Sequence, residues 1–524
     1  MEMSMVGCSQ MNAERVDLGF QRLPCCGHER ICNKRDQIKV NLRSKWRRGA
    51  IRVSLKEITP EKCIVREGCL KMSHDKTNRL PLFVGLPLDT ISACNALNHA
   101  KAIAAGLRPL KLLGVEGVSF PIWWGIVEGE TAGSYDWSSH LEVAEMVREA
   151  GLKLNVAFNF HGSTARGITL PKWVLKVGEE NPDIFFTDRG GKRFRDCLSL
   201  GTDELALLSG KSPLQAYGDF MESFKSEFSN FLGSTITELT IGLGPNGELR
   251  YPSLPENPNS TGVGEFQCYD KHMLANLQQH ARTLGHHQWG YSGPHDAPPY
   301  DSSPDSSNFF RQYNGSWETP YGNFFLSWYS NCLISHGNRM LSKAAGIFRN
   351  LPGNSFPVRI SGKIPTVHQW CNTRSHAAEL TSGFYETSER DGYSDVMKMF
   401  AENSAGVVLP SMDLSDSIVK RVKEACDAHG VSVSGENSQL KGNSGGFAKI
   451  KKNLEMGLAG FTYMRMGADF FSPEHWPLFT DFIWHLEMPE KDSDDVAVGS
   501  KGAQTFGGVS VSHESKEKTL QLQA

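Results

Sequence analysis

The stretch Ile236-Thr237-Glu238-Leu239-Thr240-Ile241-Gly242-Leu243-Gly244-Pro245-Asn246-Gly247-Glu248-Leu249-Arg250-Tyr251-Pro252-Ser253 can be read in two ways, and the choice decides the fold. Gly242, Gly244 and Gly247 fit the G-x-G-x-x-G spacing of a dinucleotide-binding turn. Such a turn needs a strand before it and a helix opening at the third glycine, whose free N–H groups meet the pyrophosphate. The β-branched alternation of Ile236–Ile241 supplies the strand. Pro252 and Pro255, with Pro258 close behind, exclude the helix, because proline lacks the N–H and clashes with the preceding turn. What remains is a glycine-containing turn that displays one carboxylate, Glu248, past the C-terminal end of a strand. No nucleotide cofactor is expected.

Outward from this turn, strand-like and helix-like runs alternate. Strands are predicted at 82–86, 117–124, 153–160, 236–241, 358–361, 407–409, 431–433 and 461–463. Helices are predicted at 95–113, 138–150, 213–232, 324–348, 393–403, 416–429 and 449–458. Alternation of this kind implies parallel strands joined by right-handed crossovers. Eight units fit a (β/α)8 barrel with long loops on the C-terminal face; an open doubly wound sheet is the alternative. Residues 254–323, rich in Pro, Gly, Ser and Asn, read as one long insertion on that face.

The 524 residues carry a formal charge of -3, which gives no global reason to expect nucleic acid, and no apolar run reaches a membrane-spanning length. A soluble chain is expected. Residues 1–60 hold twelve Lys and Arg against six Asp and Glu, with Arg43, Lys45, Arg47, Arg48 and Arg52 clustered around Trp46. An Arg-rich, acid-poor leader without an apolar core suggests an organelle transit peptide; a disordered basic arm is the plainer alternative. The resulting division is a leader over 1–80, a barrel over 81–487 and a disordered polar tail over 488–524. Twelve cysteines show no paired C-x-x-C spacing; Cys25, Cys26 and Cys32 form half a zinc pattern that nothing completes, so no metal is expected. Cys94, Cys197, Cys268, Cys332, Cys371 and Cys426 read as scattered buried thiols.

A barrel places its chemistry just past strand ends. Glu248 follows the fourth strand and Glu436, in Gly435-Glu436-Asn437, follows the seventh. Two carboxylates facing across a cleft are the machinery of glycoside hydrolysis, one as acid and one as base, with a gap of ~6.5–9.5 Å in inverting enzymes and ~5 Å in retaining ones. Trp123-Trp124 and His368-Gln369-Trp370 follow other strands, where indole faces suit sugar rings; a Trp packed in the core is the alternative for each. His161, after the third strand, can contact a sugar hydroxyl or satisfy a loop carbonyl.

These residues resemble the plant beta-amylases, inverting exo-hydrolases that release maltose from α-1,4-glucan ends. The likeness runs from Pro81 to about Leu486. It is carried by the 242–253 turn, by Gly264-Glu265-Phe266-Gln267-Cys268-Tyr269-Asp270-Lys271 and by Phe324-Phe325-Leu326-Ser327-Trp328-Tyr329-Ser330. His376-Ala377-Ala378-Glu379-Leu380-Thr381, Gly435-Glu436-Asn437 and Thr462-Tyr463-Met464-Arg465 add to it. The resemblance implies Glu248 as general acid and Glu436 as general base. It places His161, His368, Asn437 and Arg465 against substrate, together with Arg359, which stands where the family has a Lys; Trp370 joins them as a substrate contact through its indole face.

Departures accompany the matches. The family's Gly-rich mobile loop with its essential Asp is here His161-Gly162-Ser163-Thr164-Ala165-Arg166-Gly167-Ile168-Thr169-Leu170-Pro171, about five residues shorter by that likeness and without an Asp. A sugar-binding Asp of strand two becomes Pro121, an inner-loop Thr becomes Pro410, and 363–366 reads as an insertion. Each lost transition-state contact costs ~10²–10³ in rate. The pattern resembles the family's catalytically inactive plastid branch. The implied protein sits in the chloroplast stroma, has weak or absent hydrolysis, and binds starch, maltodextrin or maltose, or another starch-degrading enzyme. An active beta-amylase with a remodelled lid, and a scaffold with no sugar contact, are the rival readings.

Overall fold

The computed structural model describes residues 79–254, 261–349, 357–414, 416–438, 444–467 and 469–487. The leader and tail assigned from the sequence, with the half zinc pattern, lie outside the described residues. Eight parallel strands close into a barrel: β1 (Leu82–Gly85), β2 (Gly117–Trp123), β3 (Lys153–Asn159), β6 (Ile236–Ile241), β7 (Arg359–Lys363), β8 (Gly406–Leu409), β9 (Val433–Glu436) and β10 (Gly460–Tyr463). The order around the barrel is β1-β10-β9-β8-β7-β6-β3-β2, and the closing pair β1/β10 runs in register with Leu82 opposite Phe461. The expected barrel is therefore present. The doubly wound alternative is excluded, since this sheet has no edge.

Two short strands that the sequence reading missed, β4 (Phe185–Thr187) and β5 (Arg193–Leu198), form an antiparallel hairpin between β3 and β6. Helix Lys172–Glu180 precedes the hairpin and helix Pro213–Glu227 follows it. The latter opens on a capping box: Ser212 Oγ accepts from Gln215 N at 3.2 Å while Gln215 Oε1 accepts from Ser212 N at 2.8 Å, with Pro213 at the first helical position. The long insertion is not structureless. It contains helix Lys271–Thr283, whose first turn is held by Asp270 accepting from His272 N and Met273 N at 3.0 and 2.9 Å.

Aromatic side chains weld the barrel wall to the helices around it. Phe158 of β3 meets Phe224 at 4.9 Å between ring centroids, Phe224 stacks on Phe228 at 4.3 Å, and Trp137 packs on Phe220 at 5.1 Å. Trp124 belongs to this packing and not to the rim, contrary to the expectation from sequence. Its ring lies 5.1 Å from Tyr217 and 5.7 Å from Trp173, and its Nε1 donates to buried Glu128 at 2.6 Å. Successive side chains at a strand end point to opposite faces, so Trp123 and Trp124 cannot both face the mouth. Of the described cysteines, Cys197, Cys268 and Cys426 are buried, Cys332 and Cys371 are half-buried, and Cys94 is exposed, which corrects the expectation of burial. Burial pushes the Cys426 and Cys332 thiols up to about 12, which keeps them inert.

His140 is enclosed by this packing, 5.6 Å from Phe120 and 6.0 Å from Trp137, and burial pulls its pKa down to about 4. The unfolded chain takes up a proton near pH 6.5, whereas the folded imidazole stays neutral to about 4. Folded-state stability contributed here is thus present above pH 6.5 and lost as pH falls toward 4, by ~1.4 kcal/mol per pH unit. Thermal melts should find that His140→Leu raises the midpoint more at pH 5 than at pH 7.5; equal shifts at the two pH values would refute this.

Candidate active site at the C-terminal rim

The turn after β6 explains its glycines without a phosphate. A Cβ at Gly242 would lie 2.3 Å from the Phe158 carbonyl oxygen, so glycine is required by the close approach of β3. Gly247 adopts φ 77, which turns the chain directly before Glu248. A 3-10 turn over Pro245–Gly247 and the bond from Leu249 N to Lys363 O, 2.8 Å, then fix the acid against the end of β7.

Both predicted glutamates lie at the C-terminal rim, each in an ion pair. Arg250 Nε donates to Glu248 Oε2 at 2.8 Å. Lys363 Nζ donates to Glu436 Oε2 at 2.5 Å. Glu436 is the last residue of β9 itself, not a residue beyond it, because the strand starts two residues later than its β-branched run suggests. Neither Arg250 nor Lys363 was singled out from sequence. Lys363 was read as part of an insertion, yet it closes β7 and sits between the two carboxylates around the rim.

Arg359, assigned to substrate, requires correction. It is the first residue of β7, at the opposite end of the barrel, and pairs with Glu238 at 3.0 Å. Four residues of extended strand separate it from Lys363, which is about 13 Å at the usual rise. A cation in the right strand was identified, at the wrong end.

Asn437 is also corrected. Its Nδ2 donates to the carbonyls of Ser438 at 2.5 Å and Met464 at 2.8 Å, and its Oδ1 accepts from Met464 N at 2.7 Å. Both amide hydrogens are committed to the backbone, so Asn437 braces the β10 turn that carries Arg465. Arg465 itself reaches the Leu86 carbonyl at 3.3 Å; burial lowers its pKa to about 10, with Glu436 opposing and Arg166 adding to the shift. Trp370 donates from Nε1 to the Thr261 carbonyl at 2.8 Å, which stitches its loop to the insertion. His368 is half-buried, and burial lowers its pKa despite Asp413 and Glu379.

The shortened loop after β3 folds back on itself. Ser163 and Ile168 exchange two backbone hydrogen bonds, 2.7 and 3.1 Å, around a 3-10 turn at Thr164–Arg166. Asp196 of β5 accepts from Thr164 N and Oγ1, each at 3.0 Å, and its carbonyl accepts from Gly162 N at 2.7 Å. Arg166 is carried to 5.9 Å above the Trp123 ring, and Trp123 lies edge-on to His161 at 5.1 Å. Under this cover, Trp123 Nε1 and His161 Nδ1 are buried without a hydrogen-bond partner among the described residues. Burial, followed by Arg166, Arg250 and Lys363, depresses His161 to about 3, so it is neutral near pH 7.

An open cleft of about 320 Å³ lies beside Glu248, bordered by Arg250, Pro245, Gly162, Gln369 and Pro410. Of the candidate catalytic and substrate-contacting residues, Glu248 alone is among those that line it. Glu436 borders instead a separate space of about 20 Å³ inside the barrel, shared with Glu238, Arg359 and Thr462 and large enough for one water. Among the described residues, no group of three or more His, Cys, Asp or Glu could hold a metal ion.

A (β/α)8 barrel with two glutamates on its C-terminal rim is the scaffold of a glycoside hydrolase. Residues 83–491 match the Glycosyl hydrolase family 14 profile, and the chain belongs to that family, the beta-amylases. It is 46% identical over 519 residues to "Inactive beta-amylase 9" of Arabidopsis thaliana, covering 95% of this chain and 96% of that one. It is 41% identical over 444 residues to "Beta-amylase 2, chloroplastic" of Oryza sativa subsp. japonica, covering 80% and 78%. Among solved structures, the catalytic domain of beta-amylase from Paenibacillus polymyxa superposes with a TM-score of 0.64 at 26% identity, covering 78% of this chain and 99% of that one.

The bracing by Asn437 gives a direct test. Asn437→Ala removes the partners of the Met464 N–H and C=O, and unfolding measurements should record a loss of about 1–3 kcal/mol. An unchanged midpoint would contradict the structural role of this side chain.

Proposed function

We propose that this protein is a beta-amylase-fold α-glucan binder with little or no maltohydrolase activity, acting in starch metabolism as a regulatory protein. One observation carries the reading: Glu248 lines the open cleft, whereas Glu436 lines the small space inside the barrel and is held by Lys363 at 2.5 Å. Hydrolysis by two carboxylates needs acid and base presented to the same bond. Glu248 as acid and Glu436 as base retain the family's residues, but each accepts from a cation and they border different spaces. The folded-back loop, without an Asp, and Pro121 in β2 remove polar groups that would grip a sugar. The name "Inactive beta-amylase 9" of a relative over nearly the whole chain supports the same conclusion.

The sugar class follows from the family, and the cleft supports it. Arg250 and Gln369 supply donors, and Phe194 offers an aromatic face. A plastid location is supported by the basic, acid-poor leader and by the word "chloroplastic" in the name of the rice relative.

Purified protein incubated with soluble starch should release maltose no faster than its Glu248→Gln variant. Release at the rate of a working beta-amylase, lost in that variant, would instead establish an active enzyme with a remodelled lid.

A further inference from the structure

The cleft beside Glu248 has a neighbour. A second cavity of about 360 Å³ adjoins it, and the two share Phe194, Pro252 and Leu254. Phe194, half-buried on β5, borders both. The folded-back loop is the saddle between them: Gly162 borders the first cavity and Thr164 the second. That loop is held to β5 by Asp196 and closed by the Ser163–Ile168 bonds. The second cavity carries sugar-compatible groups. Tyr300 Oη donates to Asp188 and accepts from Gln267 Nε2, both at 2.8 Å, and Arg195 stands on its rim.

A pocket specific for a chain end must close behind the last sugar. Here the space at His161, which the family resemblance sets against substrate, is covered, with Arg166 over Trp123 and both Trp123 Nε1 and His161 Nδ1 buried beneath. Open space adjoins Glu248 and, beyond the shared Phe194, Pro252 and Leu254, the second cavity instead.

From this adjacency we infer that the protein binds an internal stretch of an α-1,4-glucan across the two neighbouring cavities, without needing a free non-reducing end. This rests on the glucan-binding reading above and specifies its ligand. Aromatic stacking at Phe194 provides the platform, and polar groups on either side take the hydroxyls of successive glucose units.

Calorimetric titration of the full chain with maltoheptaose, and with maltoheptaose blocked at its non-reducing end by a 4,6-ethylidene group, tests this. The expected result is equal affinity within about twofold, and at least tenfold weakening of both ligands by Phe194→Leu, which keeps apolar bulk but removes the ring. Binding of the free-ended sugar with loss of more than thirtyfold on blocking would overturn the inference and leave glucan binding intact. Failure of both ligands to bind at millimolar concentration would overturn the glucan reading itself, and this inference with it. Should Phe194→Leu not fold, the comparison of the two ligands on the unaltered protein decides alone.

Discussion

The pairing of β1 with β10 is the constraint on which the site depends. It closes the sheet, and closure with parallel strands sends every C-terminal strand end to one rim. Glu248, Lys363, Glu436 and Arg465 come from β6, β7, β9 and β10 or the turns after them, and share that rim for this reason alone. With an open sheet, the residues of β1 and β10 would sit at opposite edges, and Arg465 could not reach the Leu86 carbonyl.

Within that frame, electrostatics shapes what the rim can do. Arg250 holds Glu248 and Lys363 holds Glu436, while Arg166 adds a cation from the shortened loop. The loop after β3 shapes the rim as well. It forms a tight turn pinned by Asp196, and it lays a guanidinium on the tryptophan beside His161. Glu248 borders the open cleft and Glu436 the small space inside the barrel, each carboxylate held by its own cation.

Much of this was legible in the sequence. Period-2 and period-3.6 patterns marked all eight barrel strands, and the prolines after Gly247 ruled out the nucleotide turn that the glycines mimic. What the pattern could not carry was direction and commitment. Arg359 and Lys363 lie on one short strand, and only the register with Glu238 tells which end each occupies. Asn437 sits beside Glu436 in a family motif, yet its amide is consumed by Met464, a partner 27 residues away. The β4–β5 hairpin was missed because its strands are short and one carries Arg193, Arg195 and Asp196, without a repeating apolar face. The distinction between rim and core for Trp123 and Trp124 likewise depends on where β2 ends.

The central claim is that an intact beta-amylase scaffold holds glucan without cutting it. Titration calorimetry of maltoheptaose into stoichiometric amounts of the full chain, followed by product analysis of the titrated sample, tests it most directly. The account predicts saturable heat, a return to baseline after each injection, uncut maltoheptaose at the end, and the same trace for Glu248→Gln. Maltose accumulating in the cell, and vanishing with that substitution, would contradict it.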